Sequence, residues 1–117
     1  MNKILSEYGV SDATLTQDEK AFLHQNGYLN LGILLSDDQV NQINKRLEAI
    51  SSEEGNKSGS ELFDSKYIRH PKEEGADRLA DLVNKGSVFD VFYNHPRVLS
   101  AINEVLGDSF KLSSLNY

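Results

Sequence analysis

Two stretches of the chain place apolar residues at the three- and four-residue spacing that gives a helix one apolar face. One stripe runs from Val40 to Ile50 and the other from Val98 to Leu106. Ser36 opens a capping box before the first, and Pro96 suits the first helical position of the second. The pattern predicts helices over 37–50 and 96–106 whose apolar side chains are buried: Val40, Ile43, Leu47, Val98, Leu99, Ile102 and Leu106.

A further helix is predicted over 17–26. Thr16 begins a second capping box with Glu19, and Gly27 provides the left-handed residue that commonly closes a helix. The segments 28–34 and 109–117 mix aromatic, β-branched and leucine residues, which is typical of short strands.

The remaining segments carry weaker signals. Residues 51–60 are rich in Ser and Gly and predict a surface loop, and residues 61–70 predict an irregular or weakly extended stretch. The apolar residues after Asp77 are compatible with a helix, and Ser87 is placed to cap a short helical turn.

Composition limits the classes of function. A chain of 117 residues forms one small domain, so we treat 1–117 as a single region. The net charge of −6 argues against nucleic acid as a partner, and the absence of Cys excludes disulfides and a cysteine nucleophile. The longest apolar run, Leu31–Leu35, is too short to cross a membrane, and the first ten residues lack a signal-peptide pattern. We therefore expect a cytoplasmic protein that does not bind a membrane.

The three histidines do not form a recognisable metal motif. His24, His70 and His95 each lack a carboxylate at the spacing of an H-x-D or H-x-E pair. We expect His24 to be a partly packed helix residue, His95 to start a helix, and His70 to lie in a charged surface loop. No nucleophile elbow or phosphate-binding loop is present either, so no catalytic or metal-binding residue is assigned.

Four segments, taken in order, carry a family resemblance: 78–86, 94–99 (Asn-His-Pro-Arg-Val-Leu), 105–107 and 110–116 (Phe-Lys-Leu-Ser-Ser-Leu-Asn). They resemble the N-terminal half of the phytanoyl-CoA dioxygenase family of iron(II) and 2-oxoglutarate-dependent oxygenases, in its bacterial branch. The beginning of the chain, with Asn26-Gly27-Tyr28 between two capped helices, is also similar to that family.

The resemblance implies an α+β fold, in which the chain supplies the N-terminal helices and first strands of a double-stranded β-helix (jelly roll). It also implies Fe(II) and 2-oxoglutarate as cofactors and a small organic substrate that the full-length protein hydroxylates. The family's H-x-D motif and its distal His and Arg would follow Tyr117, so the sequence ends before the iron ligands. We expect this chain alone to be inactive and to bind neither cofactor stably.

Two residues match family positions near the co-substrate. Asn116 resembles a residue whose amide faces 2-oxoglutarate, and Arg78, or its neighbour Leu79, lies where the family often has a basic residue near the C1 carboxylate. The structural alternatives are an Asn116 amide bonded to backbone and an Arg78 paired with Asp77 or Asp81.

A different class of function also fits the sequence. The predicted strand 109–117 would have an unpaired edge, because no later strand follows it in this sequence. We expect it to pair with another chain or with the rest of a longer polypeptide, or else to be poorly ordered. The alternative to an oxygenase portion is a non-catalytic interaction domain that pairs through this edge.

Overall fold

A computed structural model describes residues 2–63, 66 and 78–117 of the chain. The chain divides into two compact units. The first comprises Met1–Leu34 and Val91–Leu112, and the second comprises Leu35–Asp90 and Ser113–Tyr117. The α-helices of the described residues are α1 (Lys3–Glu7), α2 (Gln17–Asn26), α3 (Asp37–Glu54), α4 (Ser60–Phe63), α5 (Val91–Asn94) and α6 (Pro96–Leu106), with short 3₁₀ turns at Gly55–Lys57, Leu82–Asn84 and Ser87–Phe89.

The predicted bounds of α2 and α6 are confirmed. The Thr16 hydroxyl accepts the backbone N–H of Glu19 at 3.1 Å, and the Glu19 carboxylate accepts the backbone N–H of Thr16 at 2.8 Å. Gly27 closes α2 in the left-handed conformation, with φ of 78°. At α6, Pro96 occupies the start of the helix behind His95. Local capping chemistry thus defines both ends of α2 and the beginning of α6.

Helix α3 starts as predicted but is longer than its apolar stripe. It continues through Glu54, so the predicted surface loop is wrong over 51–54. Ser51, Ser52 and Glu53 lie on the exposed side of the helix, where polar residues are tolerated. The helix ends at Gly55, whose φ is 51°.

The first unit packs around an apolar cluster that includes α1, a helix that the sequence pattern did not predict. Leu5 of α1, Val10 and Leu99 are buried together, and Phe110 packs against them. Leu15 and Leu23 are buried as well. Ile4 and Leu5 are adjacent and are the only apolar residues of this five-residue helix, so they give no periodic signal, which explains why α1 was missed.

The second unit is built on the apolar face of α3. The turn Ser87–Phe89 packs against α3, and the turn Leu82–Asn84 packs against Ser87–Phe89. Phe89 is fully buried, with 0% of its surface exposed. The other buried apolar residues of this unit are Ile43, Leu47, Ile50, Leu79, Ala80 and Leu82.

The predicted core is only partly correct. Ile43, Leu47 and Leu99 are buried as expected, whereas Val98 and Ile102 are half-buried. Val40 and Leu106 are exposed. Val40 lies in the first turn of α3 and Leu106 is the last residue of α6, so each lies at an end of its apolar stripe.

The expected α+β fold with the first strands of a jelly roll is wrong for the described residues, which contain helices and extended segments but no strand. In the predicted strand 28–34, the Asn30 side chain accepts the backbone N–H of Gly32, and Gly32 has φ of 74°. This local turn replaces the pairing that a strand requires, as Asn and Gly often do.

The other predicted strand, 109–117, keeps only a short backbone pairing. Leu79 and Tyr117 exchange N–H···O bonds of 2.8 Å in both directions, and the N–H of Leu82 donates to the carbonyl of Leu115 at 3.0 Å. Asp81 interrupts this pairing because its backbone is left-handed, with φ of 56°. The segment therefore has a partner within the second unit along one edge.

Among the described residues, no helix combines the length and apolar character needed to cross a membrane. The expectation for His70 lies outside the described residues. The helix expected from Asp77 is wrong over 78–81, which belong to no helix. Within 78–86, the only helical element is the short turn Leu82–Asn84.

Candidate functional site

The backbone pairing in the second unit brings the two residues of the predicted co-substrate site onto neighbouring segments. Leu79 and Tyr117 lie directly opposite each other, because each donates to and accepts from the other. Successive side chains of an extended segment point to opposite faces. Arg78 and Asn116 therefore share one face, and Leu79 and Tyr117 share the other.

Asn116 contributes an amide that is only partly used. Its Oδ1 atom accepts the backbone N–H of Asp81 at 3.3 Å, which is the backbone-bonded alternative considered from the sequence. This bond leaves the two hydrogens of Nδ2 for other acceptors. Since Asn116 is exposed, its amide nitrogen is accessible to a carboxylate from solvent.

Arg78 is exposed, and its backbone lies close to Gly59. A Cβ atom on Gly59 would lie 2.9 Å from the Arg78 carbonyl oxygen, and Gly59 has φ of 74°. Only glycine meets both conditions without strain. The nearby Asp81 carboxylate accepts bonds of 2.9 and 3.1 Å from the Asn84 amide.

A cavity of about 310 Å³ lies on the opposite face of the paired segments. Its described lining residues are Asn44, Leu47, Glu48, Ser51, Leu79 and Tyr117. Glu48 is the only charged residue among them, so its carboxylate would repel a dianion such as 2-oxoglutarate.

The two described histidines take structural roles. His24 Nε2 lies 2.8 Å from Glu104 Oε1 and so links α2 to α6, with Lys20 4.0 Å from the same carboxylate. His95 Nδ1 accepts the backbone N–H of Arg97 at 3.2 Å and caps α6. No group of three His, Asp or Glu in the described part of the chain is arranged to hold a metal. These described residues therefore do not fit an iron site.

Sequence reasoning missed the ion pair between Arg97 and Glu19. The guanidinium of Arg97 donates to the Glu19 carboxylate and, at 3.2 Å, to the carbonyl of Thr14. These bonds from Arg97, together with the N–H of Thr16, lower the pKa of Glu19 to about 2. The capping box marked Glu19, but no local pattern connects it with a residue 78 positions away.

A second charged group, in the other unit, was also missed. The Lys85 ammonium lies 2.8 Å from Glu54 and 2.6 Å from Glu61. Its hydrogen bond lowers the pKa of the Glu61 carboxyl. Partial burial acts to lower the pKa of Lys85, but the two carboxylates together outweigh it and raise that pKa. The group ties α3, α4 and the segment after Leu82 together.

Comparisons of the chain with protein-family models, with curated proteins and with solved structures find no match.

Proposed function

We propose that the chain supplies the 2-oxoglutarate-facing part of a cytoplasmic non-haem iron oxygenase that resembles the phytanoyl-CoA dioxygenase family and hydroxylates a small organic substrate. The observation that carries the proposal is the reciprocal hydrogen bonding between Leu79 and Tyr117. It puts Arg78 and Asn116, which the resemblance places near the co-substrate, on one face of adjacent segments.

Each residue has a distinct role toward a carboxylate. The Arg78 guanidinium provides parallel N–H donors that match the two oxygens of a carboxylate. The Asn116 amide donates through Nδ2, while its Oδ1 stays on the Asp81 backbone and orients the group. Iron, when bound by ligands elsewhere in such an enzyme, supplies the activation of O₂. The described residues of this chain orient the co-substrate only.

The proposal is tested by NMR titration of the isotope-labelled chain with 2-oxoglutarate. We expect weak binding, with a dissociation constant on the order of 1 mM or above, because only two side chains contact the ligand. The amide signals that shift should be those of 78–82 and 115–117. Shifts confined to other residues contradict the proposal, as does the absence of any shift up to the solubility limit of 2-oxoglutarate.

Two variants separate the roles. Arg78→Gln removes the positive charge, and Asn116→Asp keeps an oxygen for the Asp81 N–H but removes both amide donors. Each should weaken the response to 2-oxoglutarate. Lys57→Gln is the matched control, because it removes one positive charge from an exposed residue of the same unit outside the paired segments. An equal loss in all three variants would indicate general charge attraction and would overturn the assignment.

The edge of the C-terminal segment favours a second candidate function, an interaction domain that pairs with an extended segment of another chain. Leu115 and Tyr117 direct their backbone groups toward 79–82, so Ser114 and Asn116 direct theirs to the other edge. Light scattering over a range of concentrations, with and without candidate partners, tests this function. A constant mass of one chain under all conditions contradicts it. If a complex forms, Ser114→Pro should abolish it and Ser114→Ala should not.

A further inference from the structure

A second cavity of the second unit is an open depression of the surface between α3 and the turn that follows Lys85. Its volume is about 400 Å³. Four of its lining residues belong to α3. They are spaced by three, one and three positions along the helix, so they share one helix face. The described lining residues are Gln42, Lys45, Arg46, Ala49, Gly86, Ser87 and Val88.

The charge of this cavity is opposite to that of the chain. Lys45 and Arg46 are the only charged residues among its described lining residues, and both are cationic. The chain as a whole has a net charge of −6. A local positive pair in an acidic protein favours anionic ligands at this position over the rest of the surface.

Arg46 is held in place by the fold. Its Nε donates to the Lys85 carbonyl at 2.8 Å, and Nη1 lies 3.4 Å from a carboxylate oxygen of Glu53. In the described part of the chain, Nη2 has no hydrogen-bond partner. A guanidinium already oriented by the backbone loses little conformational freedom when it binds a ligand. The Glu53 carboxylate is 63% exposed, so solvent screens its competing charge.

The rest of the cavity is apolar apart from the Gln42 amide and the Ser87 hydroxyl. The methyl groups of Ala49 and Val88 and the aliphatic stem of Arg46 contribute this apolar surface. A Cβ on Gly86 would make only ordinary contacts with Arg46, at 3.5 Å from Nε and 3.6 Å from Cγ, so the turn packs directly against the arginine stem. The arrangement combines an anion-binding end with an apolar wall.

We propose that this cavity binds a small organic monocarboxylate with an apolar body. The carboxylate interacts with Lys45, Arg46 Nη2 and the Ser87 hydroxyl, and the hydrocarbon lies against Ala49 and Val88. The site is distinct from the paired segments 78–82 and 115–117, and the inference does not depend on the proposed oxygenase function.

Hexanoate is the probe for an NMR titration of the isotope-labelled chain. We expect shifts at the amides of Arg46, Ala49, Ser87 and Val88 and a dissociation constant on the order of 1 mM. Acetate, which has the charge without the apolar body, should bind more weakly. Hexylamine, which has the opposite charge, should leave these signals unchanged. Hexylamine binding as tightly as hexanoate, or acetate matching hexanoate, overturns the proposal.

Two variants test the charge and the apolar wall of the cavity separately. Lys45→Gln should weaken hexanoate binding roughly threefold, which is the loss of affinity expected when one exposed charge interaction is removed. Ala49→Leu fills the cavity and should weaken binding further, while leucine maintains the helix. Lys57→Gln, also an exposed lysine of this unit, is the control and should bind like the original chain. Full hexanoate binding by Ala49→Leu, with an otherwise unchanged spectrum, places the ligand elsewhere and contradicts the proposal.

Discussion

The Arg97 guanidinium of α6 donates to the Glu19 carboxylate of α2, and the same carboxylate accepts the backbone N–H of Thr16. One acidic side chain therefore completes the cap of α2 and joins α2 to α6 within the first unit. An exposed ion pair alone contributes little, but here the arginine also bonds the Thr14 carbonyl. This geometry makes the stability of the first unit dependent on pH.

Glu19→Gln should lower the stability of the first unit, and the loss should shrink in acid. The pKa of Glu19 is about 2 in the folded chain against an ordinary value of 4.5, so the carboxylate stabilises the fold. That contribution is fully present above the ordinary value and is lost as the pH falls toward about 2. Thermal unfolding of both proteins across this range measures the difference in midpoint.

Glu7→Gln is the control for the loss of one negative charge, since Glu7 lies 3.8 Å from Lys3 on an exposed helix face. It should change the unfolding midpoint much less than Glu19→Gln near neutral pH. A difference for Glu19→Gln that stays constant down to pH 2 would show that the Arg97 contact does not depend on the ionised carboxylate.

Gly59→Ala should destabilise the chain more than Gly27→Ala. Both glycines have similar positive φ values, 74° and 78°, so the backbone strain of about 1–2 kcal/mol is common to both variants. A Cβ on Gly59 also meets the Arg78 carbonyl at 2.9 Å, whereas one on Gly27 meets nothing within 4 Å. Urea unfolding measures both losses. Equal values would mean that the contact between Gly59 and Arg78 relaxes freely.

Local signals predicted α2, α6 and the start of α3 well, because the capping chemistry of these helices is contained in a few adjacent residues. Thr16 with Glu19, and Ser36 with Gln39, form both reciprocal bonds of their capping boxes. Burial was harder to predict, because Val40 continues an apolar stripe yet is 40% exposed. Periodicity identifies which face is apolar, but the packed partner determines how far along the helix burial extends.

The predicted strands failed for a different reason. Strand propensity describes side chains that suit a sheet, whereas a strand exists only through pairing. Asn30 and Gly32 form a local turn, and the left-handed Asp81 interrupts the pairing with Leu115 and Tyr117. For the candidate site, the resemblance selected Arg78 and Asn116, and the alternative of an Asn116 amide bonded to backbone is the bond that Asn116 makes with the Asp81 N–H.

Phe89→Ala should be the most damaging single truncation in the second unit. Phe89 is fully buried in the turn that packs on α3, and removal of such a ring typically costs about 3–5 kcal/mol. Val83→Ala is a suitable comparison, because Val83 is 37% exposed and should cost below about 1 kcal/mol. Urea unfolding followed by circular dichroism measures both. A loss for Phe89→Ala no larger than that for Val83→Ala would contradict the packing of this core.

The purified 117-residue chain should not convert 2-oxoglutarate to succinate when Fe(II), ascorbate and oxygen are added. Iron in such oxygenases requires two histidines and a carboxylate that converge on one point. In the described residues, His24 is bonded to Glu104 between α2 and α6, and His95 caps α6, so neither belongs to a three-ligand group. Succinate is measured against a blank with metal but no protein. Sustained formation above the blank would contradict this prediction, and its loss in His24→Ala or His95→Ala would identify the histidine involved.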